Sequence, residues 1–242
     1  MKFERRQYGR NHAYYLDGDK LPGVTTILGA GLPAPALVEW AAKTTATFAV
    51  NEWDRLSTLG VVDRYERMRG ARWEVLRQAG MRGTDLHAFA DRLSRGEDVD
   101  VPDEHRGPIE ALATLMDKLD MEPVHTETPV LHAEHRWAGT TDAVVIINGQ
   151  LWLVDYKTGK GLYEKDALQV SAYSFATHAL MPSGLVEFVP PQRVGLIHVT
   201  PDSAELHEVT HTARNYEVFR HVQHVAGWLE SLKEAPVIGD AL

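Results

Sequence analysis

The dipeptide Asn148-Gly149 is the sequence feature that most constrains the fold, because it stands between two apolar segments. The segments at 137–147 and 150–155 are rich in Val, Ile, Leu and Trp. Asn-Gly between two such runs is a strong signal of a two-residue β-hairpin, since both turn residues must adopt positive φ. The sequence therefore predicts two adjacent antiparallel strands in which residues equidistant from the turn face one another.

Two aspartates interrupt these apolar strands at equal distances from the turn. Asp142 and Asp155 are therefore expected to oppose one another directly, with about 5 Å between their β-carbons. Like charges at that distance destabilise a strand pair, and a buried carboxylate is costly unless it is paired or coordinates a metal. A divalent cation between the two carboxylates is the simplest compensation.

Three further polar groups are expected beside this pair. Lys157 shares a strand face with Asp155, and its ammonium can orient water and neutralise charge that develops on a phosphate. His87 is predicted on a preceding helix, and Glu127 on the neighbouring strand as an additional ligand or acid. Oxygen ligands with one imidazole favour Mg²⁺ or Mn²⁺ and suit hydrolysis of a phosphodiester.

Composition narrows the class of protein. A chain of 242 residues with 44% hydrophobic content can bury one sizeable core. The absence of cysteine excludes disulfides, thiolate zinc sites and a cysteine-ligated iron–sulfur cluster. Neither a membrane-spanning run nor a secretory signal is visible, so we expect a cytoplasmic protein with no membrane partner.

The pattern of apolar residues predicts an α/β fold with a central mixed β-sheet flanked by helices. The start of the chain reads as a hairpin of residues 13–16 and 23–28 around Asp17-Gly18-Asp19. Helices are expected at 36–53, at 61–79 with an end at Gly80, after a cap at Thr84, and at 108–119, 163–180 and 213–232. Further strands are expected at 124–131, 193–200 and 205–210.

We expect a single domain in three segments. Residues 1–82 form an N-terminal hairpin and helical cover, 83–210 the catalytic core, and 211–242 a C-terminal helix. No linker divides the chain. The segments follow the change from helical to strand periodicity.

Charge is unevenly distributed along the chain. The net charge of -9 argues against a surface broadly adapted to nucleic acid. Arginines are nevertheless concentrated between residues 64 and 82, where Arg67 and Arg72 are candidates for phosphate contacts. The alternative is a solvated helix face balanced by nearby acids. The acidic segment 96–104 is expected to be a solvated loop.

A group of histidines invites comparison with a zinc site. His125 and His132 are separated by an odd number of positions, so one continuous strand would turn them to opposite faces. His135 follows shortly after. No cysteine is available to complete the coordination, and we interpret all three as ordinary surface histidines.

Five motifs follow one another in order along the chain: Gly83-Thr84-x-x-His87, Glu127, Gly139-Thr140-x-Asp142, Asp155-Tyr156-Lys157 and Gln169-x-x-x-Tyr173. In this order they resemble the PD-(D/E)xK nuclease superfamily, most closely its RecB and Cas4-like branch with phage-type exonucleases. The N-terminal residues 21–42 also resemble phage members.

The resemblance implies a restriction-endonuclease-like core and a role for each motif. His87, Asp142, Asp155 and the Tyr156 carbonyl would bind Mg²⁺ or Mn²⁺. Lys157 would be the catalytic lysine, while Gln169 and Tyr173 would contact DNA and support the site. A standard Cas4 protein also carries four cysteines for an iron–sulfur cluster, which this chain lacks.

The function expected from this resemblance is that of a metal-dependent DNA exonuclease. Its partner would be DNA, with a homo-oligomer or a recombination protein as a further association. Two alternatives stay open at this point. One is a non-catalytic DNA-binding module with a nuclease fold, and the other is a hydrolase of small phosphate esters.

Overall fold

The computed structural model describes residues 1–9, 11–97, 99–235 and 237–238. The chain forms two compact units, one made of Met1–Leu32 with Leu86–Leu242 and the other of Pro33–Asp85. The predicted segment 1–82 is thus divided between them. Asp98 of the predicted acidic loop and residues 239–242 of the predicted C-terminal segment lie outside the described residues.

The larger unit contains a seven-stranded sheet in the order β10-β9-β6-β5-β4-β7-β8. Strands β6 and β9 run parallel and the other neighbours run antiparallel, which confirms the predicted mixed α/β class. The strands are β4 Glu122–His132, β5 Trp137–Ile147, β6 Gln150–Lys157, β7 His178–Met181, β8 Gly184–Glu187, β9 Arg193–Val199 and β10 Ala204–Glu208.

The hairpin register is the one expected from Asn148-Gly149. Ile147 pairs with Gln150, and the ladder continues to Ala143 opposite Val154. Both turn residues have positive φ, 52° and 74°. The next position in the same register brings Asp142 opposite Asp155, at the point where regular pairing ends.

The N-terminal region forms a separate three-stranded antiparallel sheet of β1 Phe3–Tyr8, β2 Asn11–Leu16 and β3 Asp19–Leu21. The predicted second strand at 23–28 is wrong, because helix α1 spans Val24–Gly31. Val24, Ile27 and Leu28 lie at helical spacing and are all buried in the core. That burial outweighs the strand propensity of the β-branched residues.

Helix α4 spans Val61–Ser94 without interruption, so the predicted end at Gly80 and new start at Thr84 are wrong. An interior glycine costs a helix only about 1 kcal/mol. Burial of Leu86 and Ala90 in a core stabilises the continuation. The other helices of the smaller unit are α2 Pro35–Asn51 and α3 Trp53–Ser57.

The remaining helices differ from expectation mainly at their ends. The chain continues with α5 Asp103–Lys118, α6 Glu164–Ser174 and α7 Thr212–Ser231. Helix α5 therefore starts inside the predicted acidic loop. The predicted helix at 163–180 is too long, because residues from His178 onward leave it to pair with β4. Strand pairing satisfies backbone groups that another helical turn would have used.

Two cores cover the two sides of the large sheet. The first is formed with α1, α6 and α7, and the second with α5 and the end of α4. A third, smaller core joins the N-terminal sheet to Leu131 and Ala138 of the large sheet. Within the described ranges, no single helix is long and apolar enough to cross a membrane, and α1 with α2 meets that test only as a bent pair, by length and composition.

The alternation of side chains along β5 reverses near the middle of the strand. Trp137 packs in the first core, whereas Ala143 packs in the second. An even spacing would keep both side chains on one face of a regular strand. The reversal lies at the level of Glu127 on β4, whose φ of 46° is in the left-handed region. The regular pairing of β5 with β6 ends at the same level, at Ala143 and Val154.

Candidate active site

Three carboxylates stand in a row across three neighbouring strands. Thr126 pairs with Ala143 and Thr128 with Thr141, so Glu127 lies opposite Asp142. The hairpin register continues the row to Asp155. The Asp142 side chain also accepts a hydrogen bond from the Tyr156 backbone N–H at 2.8 Å. The Tyr156 N–H lies beyond the last regular pair of β5 and β6, and the Asp142 carboxylate accepts it in place of a backbone carbonyl.

His87 joins two of these carboxylates from α4. Its Nδ1 lies 3.4 Å from Asp142 Oδ1 and 3.8 Å from Glu127 Oε1. Ligand atoms of the three residues lie within 4.8 Å of one another and could hold a metal ion. The other ring nitrogen, Nε2, lies 3.2 Å from the Tyr156 carbonyl oxygen. The predicted ligands His87, Asp142 and Tyr156 are thus neighbours.

The protonation of this cluster reflects its excess of negative charge. Burial alone would lower the pKa of His87, but the hydrogen bond and charge of Asp142, with Asp155 and Glu127, raise it to about 9. Burial and then the charge of Asp142 raise the pKa of Glu127. In the absence of a cation, the imidazole carries the compensating positive charge.

Asp155 and Lys157 form a second part of the site, on the side of the sheet covered by α6. Lys157 Nζ lies 2.7 Å from Asp155 Oδ2 and donates a hydrogen bond to Gln169 Oε1 at 3.1 Å. Gln169 in turn donates to Asp155 Oδ1 at 3.0 Å. The amide of Gln169 therefore connects the acid and the lysine and orients both.

Asp155 is the most buried charged group of the site, with a side chain 2% exposed. Burial and then the charge of Asp142 raise its pKa to about 7, although Lys157 opposes the shift. Asp155 Oδ2 is the oxygen that contacts the Lys157 ammonium. A carboxylate oxygen has two lone pairs, so this contact leaves one for a ligand.

Lys157 is held as an ammonium ion. Burial would lower its pKa, but the adjacent carboxylates, above all Asp155 and then Asp166, raise it. Asp166 was missed in the sequence analysis. It lies 3.9 Å from Lys157 and accepts the Tyr163 N–H in the first turn of α6. Its position three residues after the helix N-cap is the sequence signal that could have identified it.

Tyr173 supports the site by close packing rather than by exposure to solvent. It is 3% exposed, and a β-carbon added at Gly139 would lie 2.3 Å from its ring. Gly139 of the Gly-Thr-x-Asp motif is therefore needed because the tyrosine ring approaches the strand. Gln169 and Tyr173 share a face of α6, as their spacing predicts.

The N-terminal sheet reaches the same strand, a contact that the sequence analysis missed. The Tyr14 hydroxyl lies 2.8 Å from Thr140 Oγ1, and His12 Nε2 lies 2.8 Å from the same hydroxyl. Arg5 lies 3.3 Å from the other ring nitrogen of His12. No local motif in residues 1–16 indicates this contact, because it depends on the packing of two sheets.

The arginines of α4 belong largely to the smaller unit and are mostly engaged locally. Arg69 and Arg77 pair with acids three positions earlier, at 3.1 and 2.6 Å. Arg67 lines a shallow pocket together with the acids at 63 and 66. Arg72 stacks over the Trp73 ring at 4.8 Å. These contacts resemble the balanced helix face more than a phosphate site, and the roles of Arg67 and Arg72 stay predictions.

The interpretation of His132 as a surface residue is wrong. It is 8% exposed and stacks on His135 with ring centres 4.0 Å apart. Burial, followed by the charge of His135, lowers the pKa of His132 to about 4. His135 in turn lies 2.6 Å from the Tyr216 hydroxyl of α7. The pair therefore joins the sheet to a helix, an arrangement that strand alternation could not indicate.

Comparison with known proteins leaves the family open. No protein-family model matches the chain, and no curated protein matches it. The crystal structure of SSO0001 is similar with a TM-score of 0.40 and 15% sequence identity, over 89% of this chain and 79% of that one. Similarity at this level identifies neither a family nor an activity.

Proposed function

We propose that this chain is a divalent-cation-dependent DNA nuclease of the PD-(D/E)xK type, acting as an exonuclease in the cytoplasm. The observation that carries the proposal is the convergence of one imidazole, three carboxylates and an ammonium from α4, β4, β5 and β6. Burial and the charges of neighbouring groups shift the pKa values of His87 and Asp155, and shifted titratable groups placed together are typical of catalytic sites.

The donor set fits a hard cation. His87, Glu127 and Asp142 would hold Mg²⁺ or Mn²⁺, with Asp155 and the Tyr156 carbonyl as further oxygen donors. When bound, such a cation lowers the pKa of a coordinated water and polarises a phosphoryl oxygen. The acids that repel one another in the free chain are then compensated.

Lys157 supplies a hydrogen-bond donor rather than a base, because its pKa is raised. Its side chain is 21% exposed, so the ammonium is accessible from the site. It can donate to an attacking water or to a phosphate oxygen that gains charge in the transition state. Gln169 keeps this ammonium beside Asp155 and thereby orients the donor.

A cleavage assay on linear and circular duplex DNA with Mg²⁺ or Mn²⁺ tests the proposal. We expect cleavage of the linear DNA that EDTA abolishes. Asp142→Asn and Lys157→Ala should each lower the rate by about 100-fold or more, as for loss of a principal electrostatic group. Asp117→Asn, an exposed acid of α5, is the matched control and should retain activity.

Other outcomes separate the alternatives. Cleavage in EDTA, or full activity of Asp142→Asn, would refute the mechanism. Binding of DNA without turnover under saturating Mn²⁺ would favour a non-catalytic module. Hydrolysis of a small phosphodiester that duplex DNA does not inhibit would favour a small-ester hydrolase. Equal cleavage of circular DNA would make the enzyme an endonuclease.

A further inference from the structure

The N-terminal sheet presents one face to the large sheet, next to the row of carboxylates. Tyr14 is buried on this face and contacts Thr140 on β5, the strand that carries Asp142. Arg5 pairs with Tyr14 across β1 and β2, so their side chains share the face. The positive charge of Arg5 thus lies on the same side as the acidic cluster.

The hydrogen bonds from Arg5 to Tyr14 have a defined direction. An arginine can only donate, so Arg5 donates to His12 Nδ1 and the hydrogen of the neutral ring must be on Nε2. Nε2 then donates to the Tyr14 hydroxyl, and either hydroxyl can donate in the contact between Tyr14 and Thr140. When Tyr14 is the donor, the Thr140 hydroxyl hydrogen can be donated to a ligand.

The protonation state of His12 agrees with donation from Arg5 to His12. Burial and then the charge of Arg5 lower the pKa of His12, which keeps the ring neutral. Arg5 is exposed, and within the described part of the chain it forms no ion pair. The neighbouring Arg6 lies on the opposite face of β1 and is paired with Glu4 at 2.5 Å. Arg5 is therefore the cation of this strand that is available to a ligand.

We propose that Arg5 and the Thr140 hydroxyl bind a backbone phosphate of the nucleic acid. This phosphate lies beside the carboxylates, on the side where the N-terminal sheet packs. This inference rests on the proposed nuclease function and adds the element that holds its substrate. A guanidinium and a hydroxyl are both donors, and phosphate oxygens accept from each. The contact also supplies a positive charge beside the acids in a chain of net charge -9.

The test is the salt dependence of binding to a short fluorescent DNA duplex, measured by anisotropy in EDTA so that no cleavage occurs. Arg5→Gln should weaken binding and reduce the slope of log K against log salt by about 0.9, the value of one phosphate contact. Arg6→Gln is the matched control, with the same charge change on the opposite face, and should keep the slope. Thr140→Val should weaken binding without changing the slope.

In the cleavage assay, Arg5→Gln should raise KM and leave kcat within about twofold, because the contact is made equally in ground and transition states. An unchanged slope for Arg5→Gln, or an equal reduction for Arg6→Gln, would overturn the inference. Failure of the nuclease function gives a different result. If only the nuclease function fails, wild-type protein binds DNA with an Arg5-dependent slope and cleaves nothing. If wild-type protein does not bind DNA at all, the nuclease function and the phosphate contact are both refuted.

Discussion

His87 and Asp155 bind protons more strongly in the folded chain than in the unfolded one. The pKa of His87 is raised from 6.5 to about 9, and that of Asp155 from 3.8 to about 7. Between its two values, each group holds an additional proton in the folded state. Stability therefore falls as pH rises through each window, since the folded state must release that proton.

In cation-free protein, Asp155→Asn should remove the fall in stability that occurs in the lower of these two pH ranges. Between about pH 4 and 7, the free energy of unfolding of wild type should fall while that of the variant stays flatter, because asparagine has no proton to release. Urea unfolding in EDTA across this range measures the difference. Asp117→Asn should follow wild type, and an equally steep fall for Asp155→Asn would contradict the assignment.

Single residues differ in how far the sequence could identify them. Asp142, Asp155 and Lys157 were found because they interrupt apolar strands, where a charge requires an explanation. Asp166 and Arg5 stand among other polar residues and attract no such attention. Their roles come from what they contact, at 3.9 Å from Lys157 and 3.3 Å from His12.

Among the elements, β4 contains the most unusual backbone of the site. Glu127 has a φ of 46°, a region that costs a non-glycine residue roughly 1 to 2 kcal/mol. The same residue lies at the level where alternation along β5 reverses. Strain at this position turns a carboxylate toward His87 and Asp142, which is the pattern expected of a functional site.

Glu127→Gly should therefore make the cation-free protein more stable by about 0.5 to 1 kcal/mol, because the relief of the positive φ exceeds the entropic cost of a glycine in a strand. Nuclease activity should fall, since the carboxylate is lost. Thermal unfolding and the cleavage assay measure the two effects. Glu122→Gly on the same strand is the control and should be destabilised by about 0.5 to 1 kcal/mol. A destabilised Glu127→Gly would show that the strain argument is incorrect.

Elements were predicted well where their signals are local. The hairpin around Asn148-Gly149 has the expected register because turn chemistry determines it. Helix α1 and the uninterrupted α4 were missed because local propensity alone does not separate helix from strand or from a helix break at these positions. Burial of apolar residues stabilises the helix in both places. Strand β7 was missed for the same reason, since its pairing partner is β4, far away in sequence.

For the whole molecule, repulsion among the acids links cation binding to folding stability. Mn²⁺ that binds the folded chain alone stabilises it by about 2.7 kcal/mol at roughly 100 times Kd. For a chain of this size, the melting temperature should rise by roughly 5 to 10 °C. Differential scanning fluorimetry with and without Mn²⁺ measures the shift.

Asp142→Asn should lose most of this rise, because one ligand and much of the repulsion disappear together. Asp117→Asn should retain it, since that acid lies on α5 outside the cluster. A rise of equal size in Asp142→Asn would place the cation elsewhere. Cation binding and cleavage are measured separately, so the metal site can be confirmed or refuted independently of the nuclease activity.

By itself, the sequence determined the mixed α/β class, the hairpin register and the proximity of Asp142, Asp155 and Lys157. These follow from turn chemistry and strand alternation, which depend on residues close together in the chain. Only the tertiary structure decided that α4 runs unbroken as far as His87, that Asp166 lies beside Lys157, and that the N-terminal sheet contacts β5 through Tyr14. Such contacts join distant segments, and the packing that selects them is a property of the whole core rather than of any local pattern.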